Sequence, residues 1–193
     1  GLLSRTAKRI FTVSSFSRAE LSDALGVSEQ RFELAPCGAD HIDVGVDESP
    51  AYRPPFPPHT FALMVGNLAT HKNVGPVATA LAEAGIPVAV VGAEQDRVFR
   101  RSVISESSNL KLLGRVDDAE LQRLYADAGV LVASSRYEGF GIPIIEAGRL
   151  GCPTVFALGS ALTEVAGDGG LGFDPGDNGE CVKLVQDILA DSS

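Results

Sequence analysis

The chain has 193 residues, carries 16 Lys and Arg against 25 Asp and Glu, and has a formal net charge of −9. That length accommodates one ordinary domain, or one domain plus a remnant of another, with enough chain to bury a core. So acidic a chain is a poor candidate for wrapping nucleic acid, which requires a basic face, although local cations can still meet a small anionic ligand.

Residues 10–13 (Ile-Phe-Thr-Val) read as a short buried strand. Ser17 then reads as the N-cap of a helix through Leu25, with Glu20 three residues on and Gly26 as its stop. Residues 32–35 read as a second strand. From 36 to 60 there is no periodicity, and Pro36, Pro50, Pro54, Pro55, Pro57 and Pro58 give the chemistry of a stiff, extended linker. The expected organisation is therefore 1–36, a Pro-rich linker over 37–60, and a unit over 61–193.

From Phe61 onward the texture alternates. Apolar runs at 61–65, 87–91, 110–113, 130–133, 153–156 and 170–173 read as strands, and Gly66, Gly92 and Gly114 follow the first three. Helices are expected over 73–84, closed by Gly85, and over roughly 94–105. The next helix is the best defined. Asp117 and Glu120 have capping-box spacing, Leu121, Leu124, Tyr125 and Ala128 share one face, and Gly129 ends it. Pro143 suits the first turn of a helix to about Leu150, and Asp177 or Asn178 caps a last one through about Leu189. Strands separated by helices in this rhythm predict an α/β fold, a Rossmann-like parallel sheet with helices on both faces. Ligands of such sheets bind outside the carboxyl ends of the strands, here Gly66-Asn67, Gly92, Gly114-Arg115, Ser134-Ser135 and Ala157-Leu158.

Cys37, Cys152 and Cys181 are far apart and form no Cys-x-x-Cys pair, which argues against a disulfide framework or a zinc site and for free buried thiols in a reducing compartment. No run of about 18 apolar residues is present to span a membrane. Leu2-Leu3, followed at once by Ser4, Arg5, Lys8 and Arg9, is not a signal peptide, and Gly1 in place of Met suggests a chain cut from something longer.

The residues best suited to chemistry are Glu138 to Glu146. Gly139 and Gly141 flank Phe140 just before a helix, where glycine lets the backbone approach a ligand closely. The helix start offers unpaired N–H groups and the positive dipole end, an anion site suited to a diphosphate. Glu138 sits just outside the helix and Glu146 about one turn inside. The bland alternative is a strand-to-helix turn with two solvated carboxylates.

The Glu-x7-Glu spacing, with Gly-Phe-Gly-Ile-Pro after the first Glu, resembles the signature of the large retaining family four of GT-B glycosyltransferases. Flanking pieces agree in order and spacing from about residue 10 to 190. Val65-Gly66-Asn67 … His71-Lys72-Asn73 is similar to the family's phosphate-contacting segment. Gly114-Arg115-Val116-Asp117 with Glu120-Leu121 and Leu124-Tyr125 … Ala128 resembles a second stretch, and Gly151-Cys152-Pro153-Thr154-Val155, Leu162-Thr163-Glu164-Val165 and Phe173-Asp174-Pro175 resemble three more.

The resemblance implies one half of a GT-B fold, with the nucleotide-sugar site in the 61–193 unit and residues 1–36 as the tail of an N-terminal acceptor domain. Pro36-Cys37-Gly38 stands where the family's linker tripeptide Pro-Asn-Gly would be. It further implies that Glu138 contacts the donor sugar near the reacting carbon, with the Gly139, Phe140, Gly141 and Ile142 backbone beside sugar and phosphate. Glu146 would bind ribose hydroxyls, and Lys72 would neutralise the diphosphate as the bond breaks, with Gly66 beside it. Arg115 and Val116 would lie beside the base. Lys72 and the helix end make a metal unnecessary, and no cofactor is expected beyond the donor, a UDP- or GDP-sugar. The acceptor, a glycan or lipid-linked glycan, would meet the missing domain. The implied location is cytoplasmic, with that domain as the route to peripheral attachment at the inner membrane face.

Many members carry an Arg after the first Gly of the phosphate segment or before the Lys, and those places hold Asn67 and His71. His71 can serve as the second cation if protonated beside a diphosphate; otherwise it is a neutral loop histidine. His41 and His59 fall in the linker and are expected to be solvated. Ser14-Ser15 and Ser134-Ser135 suit caps or strand ends rather than nucleophiles, since no Gly-x-Ser-x-Gly elbow exists. Glu164 either lines the donor pocket or caps a short helix, and Arg97, Arg100 and Arg101 suit a solvated helix face. A nicotinamide dehydrogenase would need Gly-x-Gly-x-x-Gly, which Gly66-Asn67-Leu68-Ala69-Thr70-His71 breaks. A non-catalytic nucleotide-sugar-binding or regulatory module would be marked by loss of Glu138 or Lys72, and both are present. Lacking an acceptor domain, the chain by itself is expected to bind nucleotide weakly and not to transfer sugar.

Overall fold

The structure, a computed structural model, describes residues 6–42, 52–92 and 106–191. The expected helix over 94–105, with Arg97, Arg100 and Arg101, lies outside the described residues, as does part of the Pro-rich stretch.

Two parallel strands, β1 (Ile10–Thr12) and β2 (Phe32–Leu34), form a small sheet joined through helix α1 (Ser15–Leu25). The helix starts three residues before the position expected from Ser17 as its cap. Ser14 is the N-cap instead: its backbone is extended and its hydroxyl accepts the Ser17 amide at 2.9 Å. Both serines offer capping chemistry, and the choice follows from where the backbone leaves β1. Gly26, in the left-handed region, ends the helix as expected.

The larger sheet contains β3 (Ala62–Val65), β4 (Val88–Val91), β5 (Leu110–Gly114), β6 (Val130–Ala133), β7 (Thr154–Ala157) and β8 (Leu171–Phe173). All neighbours are parallel, in the order β5-β4-β3-β6-β7-β8. Every residue of β4 and of β7 is buried. Successive side chains of a strand point to opposite faces, so this burial requires cover on both. Helix α2 (Val74–Glu83) packs with α6 (Asn178–Asp191), which also crosses β6, β7 and β8. In a separate row, α3 (Asp118–Asp127) packs with α4 (Ile142–Arg149), and α4 with α5 (Ala161–Ala166); α4 touches β6 and β7, and α5 touches β7. The fully buried side chains Phe61, Leu63, Met64, Leu81, Leu124, Tyr125, Leu131 and Phe173 form the core between these layers.

The expected cap of α3 is present, with Asp117 Oδ1 accepting the Glu120 amide at 2.8 Å. Helix α5 was not expected from periodicity. It is six residues long and is capped by Ser160, whose hydroxyl accepts the Leu162 amide. In the described part of the Pro-rich stretch, Tyr52 and Phe56 pack against the core, with the Phe56 and Phe61 rings 6.0 Å apart.

The strand order positions the site. From β3 the chain moves outward through β4 to β5, returns to β6 on the other side of β3, and continues to β7 and β8. The direction of winding therefore reverses between β3 and β6. The loops leaving adjacent strands at such a reversal diverge and open a crevice at their carboxyl ends.

Candidate functional site

The crevice at the β3–β6 reversal is where the two strongest sequence candidates meet. Beyond β3, the chain passes Gly66 and Asn67 and makes one tight turn over Thr70–Lys72. Asn73 then adopts a left-handed backbone, φ 53°, and begins α2. Asn tolerates this region better than most residues. Beyond β6, residues 134–141 lead into α4. Two hydrogen bonds tie these loops together: the Ser134 hydroxyl donates to the Lys72 carbonyl at 2.8 Å, and the Arg136 amide donates to the His71 carbonyl at 2.8 Å. Held this way, Lys72 Nζ donates to Glu138 Oε2 at 2.5 Å, with about a quarter of each side chain exposed.

A cavity of about 260 Å³ opens beside this pair. Lys72, Glu138 and Ser134–Ser135 give it polar groups. Phe140, Gly141, Ile142, Ile144 and Leu162 line it from the α4 side, and Val65, Val74 and Leu131 from the sheet side. No side chain caps the start of α4. Its first amides therefore lack the usual side-chain partner, and the positive end of its dipole borders the cavity. Gly141 has φ 102°, and a Cβ there would stand 2.5 Å from Leu162 Cδ2, so both backbone and packing require glycine.

Glu146 lies elsewhere on α4. It is 8% exposed and does not line this cavity. The hydroxyl of the fully buried Tyr125, from α3, donates to Glu146 Oε2 at 2.7 Å. Burial first, and then the charge and hydrogen bond of Glu146, raise the Tyr125 phenol well above its ordinary range. On the other side, His41 Nε2 lies 2.7 Å from Glu146 Oε1, although its side chain is 54% exposed. His41 was expected to be simply solvated; instead the segment ending at Ile42 folds onto α4, where Arg149 Nε donates to the Ile42 carbonyl at 2.8 Å. His59 is exposed as expected, and its amide donates to the Asp127 carbonyl.

The other candidates divide. Gly66, Gly92 and Gly114, at the ends of β3, β4 and β5, interlock through their backbones, Gly66 N donating to Val91 O and Gly92 N to Gly114 O. Asn67 and His71 are exposed, and Asn67 Oδ1 accepts the Ala69 amide at 3.1 Å. Arg115 is exposed at the end of β5, two strands from β3 on the side away from β6, while Val116 packs on the core. They lie outside the cavity lining, toward the flank of the crevice.

Of the two readings of Glu164, the structure supports capping, but of a different helix. The carboxylate accepts the Ser15 amide at 2.9 Å and the Phe16 amide at 3.2 Å, at the start of α1. Burial pushes this carboxyl upward. The two amides, the Ser15 hydroxyl and Arg18 outweigh it and hold Glu164 below its ordinary value of 4.5. Cys152 and Cys181 are buried free thiols, each pushed up to about 12 by burial, whereas Cys37 is only half-buried. Among the described residues, no helix is long and apolar enough to cross a membrane.

Residues 49–193 match the family model for glycosyl transferases group 1. The chain is 33% identical to the O-antigen chain mannosyltransferase B of Escherichia coli, over 97% of this chain and 53% of that protein. It is 26% identical to the MMP alpha-(1->4)-mannosyltransferase of Mycolicibacterium hassiacum, over 95% of this chain and 43% of that protein. Among solved structures it superposes on Anabaena HepE in complex with UDP and glucose with a TM-score of 0.74, at 18% identity, over 99% of this chain and 56% of that one. On the sucrose-phosphate synthase of Thermosynechococcus elongatus the TM-score is 0.72, at 22% identity, over 98% and 51%. These two likenesses establish a fold shared with GT-B glycosyltransferases. The chain spans about half the length of the curated relatives it matches. A family match over three quarters of its residues shows that this chain belongs to the glycosyl transferases group 1.

Proposed function

We propose that the protein containing this chain transfers a hexose from a nucleotide-diphosphate sugar to an acceptor hydroxyl with retention of configuration, and that the crevice between β3 and β6 holds the donor. The observation that carries this reading is the Lys72–Glu138 pair at the mouth of the cavity, beside the uncapped start of α4. In the breaking glycosidic bond, negative charge grows on the leaving diphosphate. Preorganised positive groups aimed at that charge lower the barrier, each typically by about 10²–10³ in rate. Lys72 and the α4 amides fill this role without a metal. Glu138, paired with Lys72 at the crevice, would meet the donor sugar while the lysine engages the diphosphate.

Glu146 would accept ribose hydroxyls. A carboxylate offers about four acceptor sites, and Tyr125 and His41 occupy one each, so capacity remains. Arg115 and Val116, at the flank, suit the base. His71 is exposed beside Lys72, on the same turn that would face the diphosphate. The base would be uracil or guanine and the sugar glucose or mannose. The HepE complex with UDP and glucose and the two mannosyltransferase relatives motivate that choice. Residues 1–36 would be the tail of an acceptor domain, 37–60 the linker, and 61–193 the donor domain. This chain alone would bind nucleotide without robust turnover, and the whole protein would work in the cytoplasm.

A thermal-shift panel of UDP, GDP, UDP-glucose and GDP-mannose tests the reading. A ligand at about 100 times its Kd stabilises the folded state by roughly 2.7 kcal/mol. One base should raise Tm and the other should not. No shift with any of the four at millimolar concentration would contradict the proposal.

A further inference from the structure

Helix α1 meets the Glu138 loop through an arrangement that helix capping does not require. The Ser14 hydroxyl accepts the Ser17 amide, which is the cap, and also donates to the Gly139 carbonyl at 2.7 Å. The Ser17 hydroxyl, which has no part in the cap, donates to the same carbonyl at 2.8 Å. Ser14 is 1% exposed, so water does not compete for its bond. These residues are 125 and 122 positions apart in sequence from Gly139. Around this clasp, Glu164 holds the Ser15 and Phe16 amides, the Phe16 and Tyr137 rings meet edge to face at 5.4 Å, and the Tyr137 hydroxyl donates to Glu20 at 2.9 Å.

A carbonyl oxygen has two lone pairs, and two hydroxyls use both. The peptide is planar and trans, so fixing the Gly139 C=O direction also fixes the Phe140 N–H, which points the opposite way. Phe140 borders the cavity, whereas α1 contributes nothing to its lining. Two donors on one carbonyl also polarise the peptide and make its N–H a better donor. Glycine at 139 leaves room for this approach, since a Cβ there would stand 3.2 Å from Ser17 Oγ. On the neighbouring residue, the Glu138 carbonyl accepts the Ala161 amide at 3.3 Å, so two successive peptides of the loop are held from outside it.

We propose that Ser14 and Ser17 are positioning residues for the donor sugar: together they orient the Gly139–Phe140 peptide so that its N–H is presented to the hexose beside Glu138. This rests on the donor-site reading above. It adds that the β1–α1 unit, remote in sequence, tunes recognition of the sugar rather than of the nucleotide.

Ser17→Ala is the discriminating variant, because it removes one donor to Gly139 and leaves the cap in place. Two readouts are combined. The Gly139 carbonyl carbon resonance, followed by NMR on this chain without ligand, should move upfield in Ser17→Ala, further in Ser14→Ala/Ser17→Ala, and return in Ser17→Thr. Calorimetric titration with UDP and UDP-glucose, or GDP and GDP-mannose, should show the affinity advantage of the sugar conjugate falling about three- to tenfold in Ser17→Ala, as expected for one weakened hydrogen bond. Affinity for the nucleoside diphosphate should hold, and Ser17→Thr should restore the advantage. An unmoved resonance, or parallel loss of both ligands without rescue by threonine, would overturn the proposal. If the wild-type chain binds none of the four ligands, the donor-site reading fails and this proposal falls with it, while the resonance still reports whether the clasp exists.

Discussion

Replacing Tyr125 by phenylalanine removes one oxygen atom and leaves the packed ring in place. That oxygen donates to Glu146 Oε2 from a fully buried position, and Glu146 is itself buried. A hydrogen bond to a charged acceptor contributes about 1.5–3 kcal/mol, and the void left by one oxygen adds little to its loss. The carboxylate oxygen left behind is poorly placed to recover a water. We therefore expect Tyr125→Phe to lose about 1.5–3 kcal/mol. At roughly 2–4 °C per kcal/mol for a chain of this size, Tm should fall by about 3–12 °C. Urea and thermal unfolding of wild type, Tyr125→Phe, Glu146→Gln and the double variant give the coupling directly. Residues in contact should show an interaction energy of about 1 kcal/mol or more. Tyr125→Phe within about 0.5 kcal/mol of wild type, or additive single changes, would refute the claim that this buried bond stabilises the fold.

Gly141→Ala should cost about 1–3 kcal/mol in urea unfolding, because alanine is disfavoured at φ 102° and its Cβ would displace Leu162; a neutral substitution would mean that the α4 start is not constrained as described. Glu164 is held below 4.5 in the folded state, so its stabilising effect is complete above the ordinary carboxylate range and is lost as pH falls through the lowered value. Thermal melts from pH 7 to pH 3 should therefore fall more steeply for wild type than for Glu164→Gln, and parallel curves would contradict the capping role. Thiol labelling of the native protein at pH 8 should modify Cys37 and spare Cys152 and Cys181, whose thiols are buried and pushed up to about 12. Equal labelling of all three would contradict that burial.

The parts of the fold that were legible in the sequence are those set by local rules. Each strand of the large sheet is a short apolar run stopped by a turn signal, and β6 matches its expected limits residue for residue. The α3 start was legible because the Asp117–Glu120 cap is a four-residue event. Helix α5 was missed because six residues provide too little periodicity to register. The start of α1 was misplaced by three residues because Ser14 and Ser17 can each cap, and only the backbone path out of β1 decides. In the site, Glu138 stood out by the Gly-flanked turn before a helix and Lys72 by the family resemblance, and the reversal of winding brings the two together. The partners of the loop were not found. Ser14, Ser17 and Ser134 are ordinary serines in sequence, and their roles depend on contacts 62 to 125 residues away. His41 carries no local mark either; its position follows from the fold of the 39–42 segment onto α4.

If Lys72 faces the diphosphate of a bound nucleotide, a single titration should reveal it. Uridine, UDP, guanosine and GDP would be titrated calorimetrically into the wild-type chain and into Lys72→Ala. Loss of a charge-assisted bond to phosphate corresponds to about 2 kcal/mol, roughly thirtyfold in Kd. The expected result is a loss of about that size for the diphosphate that binds, with affinity for its nucleoside unchanged. Equal affinity of wild type and Lys72→Ala for that diphosphate would contradict the claim.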